Sequence, residues 1–376
     1  MTAGPASPDL AGARIAVMCA PHFGNSGMHS VDLAAVRFFR EIGAQFRLFT
    51  TQPKGNLQTT FDGETVSLLT DPRDYDAFTH LVFWGDFLNN RQYGHGGYAM
   101  SHKKLGMTER HGPGHVFWRR LYTLSDHANP DLRVLGVGGN FQHAFHQPKF
   151  ATDFAQLAHK FHRIYPRDEF SSRNLARFFA YGRLDVIRQG MDVAFLLRPT
   201  DPPPAREDHF CWFFGRSSVQ NAEAVVAAVA AATGLTPVHL ADWLKLPRSN
   251  ADAAFAAERA SIASARFVLT DTYHLLVNTI TQRTPIIAIA RNEPRQEGTL
   301  GDFKKHTLLH MLGLSPCLMA IDPGLPGPDP QVVAARAAQI VTDGFDTTAR
   351  YALAQRLADR FRADLVEDLT APRTPA

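Results

Sequence analysis

Short apolar runs alternate with longer amphipathic stretches along nearly the whole chain. Residues 14–19 carry Ile15, Val17 and Met18 in one continuous run, which predicts a strand buried on both faces, and residues 21–27 follow as a glycine-containing turn. From 30 to 42, Val31, Ala35, Phe38, Phe39 and Ile42 lie on or near one helical stripe that Gly43 ends, and 46–50 is the next strand. That opening is a βαβ unit. Further strands are expected at 80–84 and 133–137, running into polar glycine-containing tips at 85–90 and 138–140. Another at 163 onward leads to a helix at 172–179, and 190–197 reads as a closing strand. Between the tips, residues 91–115 hold Gly94, Gly96, Gly97, Gly106, Gly112 and Gly114, which predicts a long mobile loop serving as a substrate lid.

The pattern then restarts. Pro202, Pro203 and Pro204 form a stiff connector, which places a first domain at 1–200, a linker at 201–208 and a second domain at 209–376. In the second half, strands at 209–214, 237–240, 267–269 and 286–289 alternate with helices at 221–233, 252–264 and around Leu275 to Ile280. Helices ending at Met311 and spanning 331–342 and 347–368 follow, the last expected to pack back toward the first domain. Alternation of this kind predicts an α/β protein with two Rossmann-like parallel-sheet domains facing a cleft.

Composition narrows the classes. Hydrophobic residues at 45% and charged residues at 20% describe an ordinary globular chain, and its 376 residues exceed what one core comfortably serves. A formal charge of +3 is too balanced to argue for a nucleic-acid partner, and none is expected; any anion site must be local. Cys19, Cys211 and Cys317 are odd in number and widely spaced, which fits buried reduced thiols and a cytoplasmic location. The first twelve residues lack the pattern of a signal peptide, and no apolar run approaches the roughly 20 residues a bilayer requires, although association with a membrane surface remains compatible.

Ligands of parallel sheets sit beyond the carboxyl ends of strands, and there stand Thr270, Asp271, Thr272, Tyr273 and His274. His274 is the candidate acid or base, with Asp271 beside it as its partner, because an imidazole changes charge near neutrality. Arg216 and Ser217, at a strand end ahead of a helix, are candidates for holding an anion, with Lys304 or Lys305 as a second charge. Gly24, Asn25 and Gly27 fit a tight turn that lets substrate approach the backbone. Asp86 and Asn89 occupy a strand tip, and Arg167 stands next to Asp168 and Glu169 as an organiser of the cleft. Asp74 and Asp76 precede a strand and read as a surface turn, while the pairs His143/His146 and His159/His162 lack a metalloprotease glutamate, so no metal and no cofactor is expected. Neither a phosphate loop nor a complete dinucleotide fingerprint is present.

Taken in order, several stretches resemble the polysaccharide pyruvyl transferase family over most of the chain. They are Gly24-Asn25-Ser26-Gly27, Trp84-Gly85-Asp86, Gly136-Val137-Gly138, Arg167-Asp168-Glu169-Phe170-Ser171 with Asp192-Val193-Ala194-Phe195, Thr270 to His274 with Thr284-Pro285, and Lys304. The resemblance implies a fold like that of GT-B glycosyltransferases. It also implies transfer of the enolpyruvyl group of phosphoenolpyruvate onto a saccharide or lipid-linked saccharide, forming a pyruvate ketal in surface polysaccharide assembly. Two departures stand out: Thr272 stands where the family carries an arginine, and Met28 and His29 stand where it carries acidic residues. A nucleotide-sugar glycosyltransferase and a non-catalytic saccharide-binding homologue are therefore the alternatives.

Overall fold

The computed structural model describes the chain except residues 1–9, 11, 22–23, 52–59, 70, 90–96, 105, 107, 128, 143–147, 180, 202, 293–301 and 372–376. It divides into two compact units, one of Met1–Pro21, Val31–Leu196 and Asp359–Ala376, the other of His22–Ser30 and Leu197–Ala358.

The first unit is built on seven strands, β1 (Arg14–Met18), β2 (Gln45–Thr50), β3 (Thr60–Phe61), β4 (Glu64–Leu68), β5 (His80–Trp84), β6 (Arg133–Gly139) and β7 (Phe161–Pro166). They lie in the order β3-β4-β2-β1-β5-β6-β7, parallel except for β3 against β4. The order reverses between β1 and β5, so their carboxyl ends, Met18 and Trp84, flank the crevice where doubly wound sheets take ligands. Helix α1 (Ser26–Glu41) leaves its first turn in the second unit and sets Phe38 and Phe39 against Trp84, whose indole N–H donates to Val31 O at 2.7 Å. Each such fully buried aromatic contributes about 1.5–3 kcal/mol by leaving water.

Helices α2 (Gly97–Lys104), α3 (His111–Thr123), α4 (Pro148–Ala158) and α5 (Glu169–Ala176) complete that unit. Where a long lid was expected at 91–115, the described part is thus two helices, and residues 91–96 lie outside the described chain. Gly114 packs them closely: a β-carbon there would stand 2.9 Å from Ala99 Cα, while Gly106 and Gly112 face open space. The expected strand at 190–197 is a 3₁₀ turn, Val193–Leu196, because Asp192 Oδ1 accepts the Ala194 N–H at 3.0 Å and bends the chain.

The second unit carries β8 (His209–Phe213), β9 (Thr236–His239), β10 (Val268–Thr270), β11 (Ile286–Arg291) and β12 (Leu318–Ile321), all parallel in the order β12-β11-β10-β8-β9. Around them run α6 (Ala222–Thr233), α7 (Ala251–Ser264), α8 (Tyr273–Thr281), α9 (Phe303–Met311), α10 (Pro330–Thr342) and α11 (Thr347–Thr370). Phe210, Phe267, Leu269, Ile287 and Ile289 on the sheet meet Val225, Val229, Val333 and Ala337 of α6 and α10 in one core cluster. Here the order reverses between β8 and β10, which end level with each other at the pair Phe213 and Thr270.

The last part of α11 belongs to the first unit. Tyr165 donates to Asp364 O at 2.9 Å and also bonds the Asp368 carboxylate, Arg163 Nε reaches Asp368 at 3.2 Å, and Arg133 donates to Ala371 O at 2.6 Å. Among the described residues no helix is long and apolar enough to cross a membrane.

Candidate functional site

In the second unit the site grows from the corner between β10 and α8. Thr270 ends the strand, its hydroxyl donating to Phe213 O at 2.9 Å and accepting the Thr272 N–H at 3.0 Å, which fixes the turn before α8. Asp271, fully buried, points back across the strand-order reversal. One carboxylate oxygen accepts the N–H of Gly215 at 2.8 Å, and the other accepts those of Arg216 and Ser217 at 2.9 and 2.6 Å. Thr272 adds its hydroxyl to the same carboxylate at 3.1 Å. Successive amides at such a place are a ready cradle for a phosphate. In this chain Asp271 fills the cradle itself, and α6 begins only at Ala222, beyond Arg216.

Lys305 closes the network from below. Its buried ammonium donates to Ser217 Oγ and Asp271 O, both at 2.6 Å, to Ile289 O at 2.9 Å, and meets Asp302 Oδ1 at 2.8 Å. Burial pushes its pKa down, while the Asp302 carboxylate pulls it back up. Asp302 in turn accepts the Ser217 hydroxyl at 3.1 Å and the Arg291 N–H at 2.6 Å. Lys305 and Asp271 are therefore internal struts that hold the loop of Arg216 and Ser217. Lys304 is half-buried instead, with its ammonium over the Tyr273 ring at 5.3 Å, and Tyr273 meets His274 edge-on at 5.3 Å between ring centres.

Arg216 projects outward, and no ion pair holds its guanidinium among the described residues. It lines a polar cleft of about 450 Å³ with Ser218, Gln220, Arg291 and the turn of Gly324, Leu325 and Pro326. Arg291, which follows the last apolar residue of β11, forks into three carbonyls: Ser217 O at 2.6 Å, Ser218 O at 2.9 Å and Leu325 O at 3.0 Å. Those bonds hold Ser218 in a left-handed conformation, φ 51°.

His274, half-buried at the start of α8, is met by the first turn of α1. Asn25 caps that helix, its side-chain oxygen accepting from Gly27 N at 3.0 Å and Met28 N at 3.2 Å. Gly24, at φ +71°, brings the chain in beside Leu246. Gly27 then lies directly on the imidazole: a β-carbon there would stand 2.5 Å from His274 Cβ. Ser26 bonds Glu258 at 2.6 Å, His29 meets Asp252 at 3.0 Å, and Ser30 accepts from Asn278 at 3.1 Å. Glu258, Arg291, Asp302 and Asn278 are absent from the sequence-derived set. Glu258 was legible as an acidic residue between Phe255 and Ile262 on the packed face of α7, and Arg291 as the charge ending a buried strand.

In the first unit, Arg167 is buried among three carboxylates, with Nη1 at 3.4 Å from Asp86 and 3.8 Å from Asp192, and Nε at 3.8 Å from Asp168. Asp168 caps α5 through Ser171 N at 2.8 Å, Asp86 accepts from Asn140 N at 2.8 Å, and Asn89 ends the 3₁₀ turn Gly85–Asn89. Gly138, at φ +75°, leaves only 2.5 Å between an added β-carbon and Val193. Four of the family-like stretches thus meet at the carboxyl ends of β5, β6 and β7, and two others, 24–27 and 270–274, meet in the second unit. No group of three or more histidine, cysteine or acidic side chains poised for a metal is found among the described residues.

Neither a known family nor a curated relative matches the sequence. Among solved structures, the chain is similar to a putative UDP-N-acetylglucosamine 2-epimerase from Listeria monocytogenes, with TM-score 0.51 and 9% identity over 94% of this chain and 96% of that one. It also aligns with a glycosyltransferase from Rickettsia africae, at TM-score 0.47 and 9% identity over 96% and 99% of the two chains. For the UDP-GlcNAc 2-epimerase of Methanocaldococcus jannaschii the values are 0.46 and 9% over 92% and 99%. At 9% identity the Listeria structure speaks for the fold alone. The protein has an α/β, GT-B-like fold with two Rossmann-like parallel sheets.

Proposed function

We propose that this protein is a carbohydrate-active transferase that moves a group from a phosphorylated donor onto a saccharide hydroxyl, with the donor anion on Arg216 and the acceptor proton passing to His274. One observation carries the reading. Asp271 binds the backbone amides of Arg216 and Ser217 at 2.9 and 2.6 Å and stands three residues before His274, so a single buried carboxylate ties the Arg216 loop to the turn that leads into the His274 helix. The acceptor O–H bond breaks toward the imidazole nitrogen as the new bond to the donor carbon forms, and the phosphate leaves with the bonding pair.

A nucleotide sugar is the donor best supported. The cleft beside Arg216 measures about 450 Å³, ordinary for a drug-sized ligand, and its Leu325–Pro326 wall and Gln220 amide suit a planar polar ring beside a phosphate. Thr272 in place of a cation and the amides already taken by Asp271 leave few ligands for a small dianionic donor. Phosphoenolpyruvate is the second reading, favoured by the ordered stretches that converge on Arg167 and on the contact of Gly27 with His274.

Thermal unfolding with added ligand separates them, since a ligand that binds only the folded state raises Tm by mass action. UDP and other nucleoside diphosphates are expected to stabilise the protein more than phosphoenolpyruvate does. Stabilisation by phosphoenolpyruvate alone reverses the order of the two readings, and no shift with either removes both.

A further inference from the structure

The first turn of α1 is held by an acidic side chain that the transfer chemistry has not used. Ser26 is fully buried, with its N–H on Trp243 O at 2.9 Å and its hydroxyl on Glu258 Oε2 at 2.6 Å. Glu258 stands on α7, and its second oxygen, Oε1, is buried without a hydrogen-bond partner among the described residues. The residue after Ser26 is Gly27, whose backbone bears on the His274 ring. From the other side, the Ser30 hydroxyl donates to Gly27 O at 2.6 Å, while the Asn278 amide reaches both Ser30 Oγ at 3.1 Å and His274 O at 2.9 Å. Contacts therefore run without a break from Glu258 through Ser26 and Gly27 to the imidazole and to the backbone beneath it.

The surroundings of Glu258 favour a change of charge there. Asp242 adds a negative charge from the loop before α7, and on α7 itself Asp252 is engaged by His29 and Arg259 donates to Arg198 O at 2.8 Å. On α8 the titratable neighbour of this turn is His274. Burial, with Asp242, pushes the Glu258 carboxyl up to about 7, against the opposing pull of the Ser26 hydroxyl. As a carboxylate Glu258 only accepts from Ser26; as an acid it also has a proton to give. The sense and strength of the Ser26 bond thus change between the two states.

We propose that Glu258 is a positioning residue for His274, its protonation setting how Ser26 and Gly27 seat against the imidazole. This rests on the reading of His274 as the acid–base group, yet its test does not need turnover. In NMR titrations of the full chain, the Gly27 amide and the His274 ring, assigned by loss of signal in Gly27→Ala and His274→Ala, are followed through neutral pH. In the wild type the Gly27 amide is expected to shift with an inflection of its own near neutrality, besides the one that tracks the His274 ring signals. Glu258→Gln retains an acceptor for Ser26 but cannot titrate, so that separate inflection should vanish and the midpoint of the His274 titration should move down, a negative charge having been removed. Ser26→Ala should abolish the separate inflection as well, which keeps the test available if the Gln variant fails to fold. Titration curves that superimpose in wild type and Glu258→Gln, or a separate inflection that survives in Ser26→Ala, would overturn the proposal. Wild-type turnover in His274→Ala, with the coupling intact, would remove the transfer reading and leave the positioning in place.

Discussion

Gly27 and His274 touch so closely that position 27 has no room for a side chain: a β-carbon would stand 2.5 Å from His274 Cβ and 2.8 Å from its Cγ. Helix propensity alone makes Gly27→Ala stabilising, by up to about 1 kcal/mol. The contact argues the reverse, because forcing a methyl into a packed interface costs about 1–3 kcal/mol. We expect the contact to win. Urea unfolding should show a net loss of stability, and the displaced imidazole should lower turnover by more than the fraction unfolded explains. A more stable, fully active Gly27→Ala would show that the imidazole moves aside freely.

Asp271 should be worth more to folding than to chemistry. Its carboxylate serves three amides and the Thr272 hydroxyl, and its carbonyl accepts from Lys305. Removing the carboxylate leaves those buried donors without an acceptor, at about 1–3 kcal/mol for each one that water does not reach. Asp271→Ala is therefore expected to lower the urea midpoint sharply, with Asp271→Asn intermediate. A change under about 1 kcal/mol in the alanine variant would mean that water replaces the carboxylate.

Stability should fall as the pH rises from acid to neutral. Asp32 on α1 is fully buried, and burial raises its carboxyl from 3.8 to about 8 against the opposing pull of the Cys19 thiol. Glu258 moves the same way, from 4.5 to about 7. Both groups hold their protons more tightly folded than unfolded. Their stabilising effect is full below about pH 4 and is lost progressively as the pH rises through the folded values. Asp32→Asn, which mimics the neutral acid, should flatten the dependence of Tm on pH between about 4 and 8. An unchanged slope would show that another group sets it.

How far the sequence speaks depends on what each segment does. The corner from Val268 to Ala290 was legible because two buried strands and a short apolar helix leave little choice, and the turn at Gly24 and Asn25 because glycine and asparagine punctuate it, although Ser26 and Gly27 already belong to α1. The start of α1 was not, since the apolar stripe begins at Val31 while Ser26, His29 and Ser30 before it are polar residues engaged by Glu258, Asp252 and Asn278. Glycines at 97, 106, 112 and 114 suggested a loop, yet Gly114 serves the close packing of α3 on α2. The role of Asp271 was hidden because sequence spacing cannot tell a carboxylate that faces substrate from one that turns back onto the amides of a neighbouring strand.

Donor binding measured by titration calorimetry on the wild type and on Arg216→Ala tests the central claim most directly. Arg216 is exposed and its backbone is fixed by Asp271, so its side chain can be removed without unfolding the loop. Loss of a hydrogen bond from a charged donor costs about 1.5–3 kcal/mol, or roughly ten- to a hundredfold in Kd. A nucleoside diphosphate or phosphoenolpyruvate is expected to bind the wild type and to lose that much affinity in Arg216→Ala at unchanged Tm. Equal affinity in the two proteins would contradict the account.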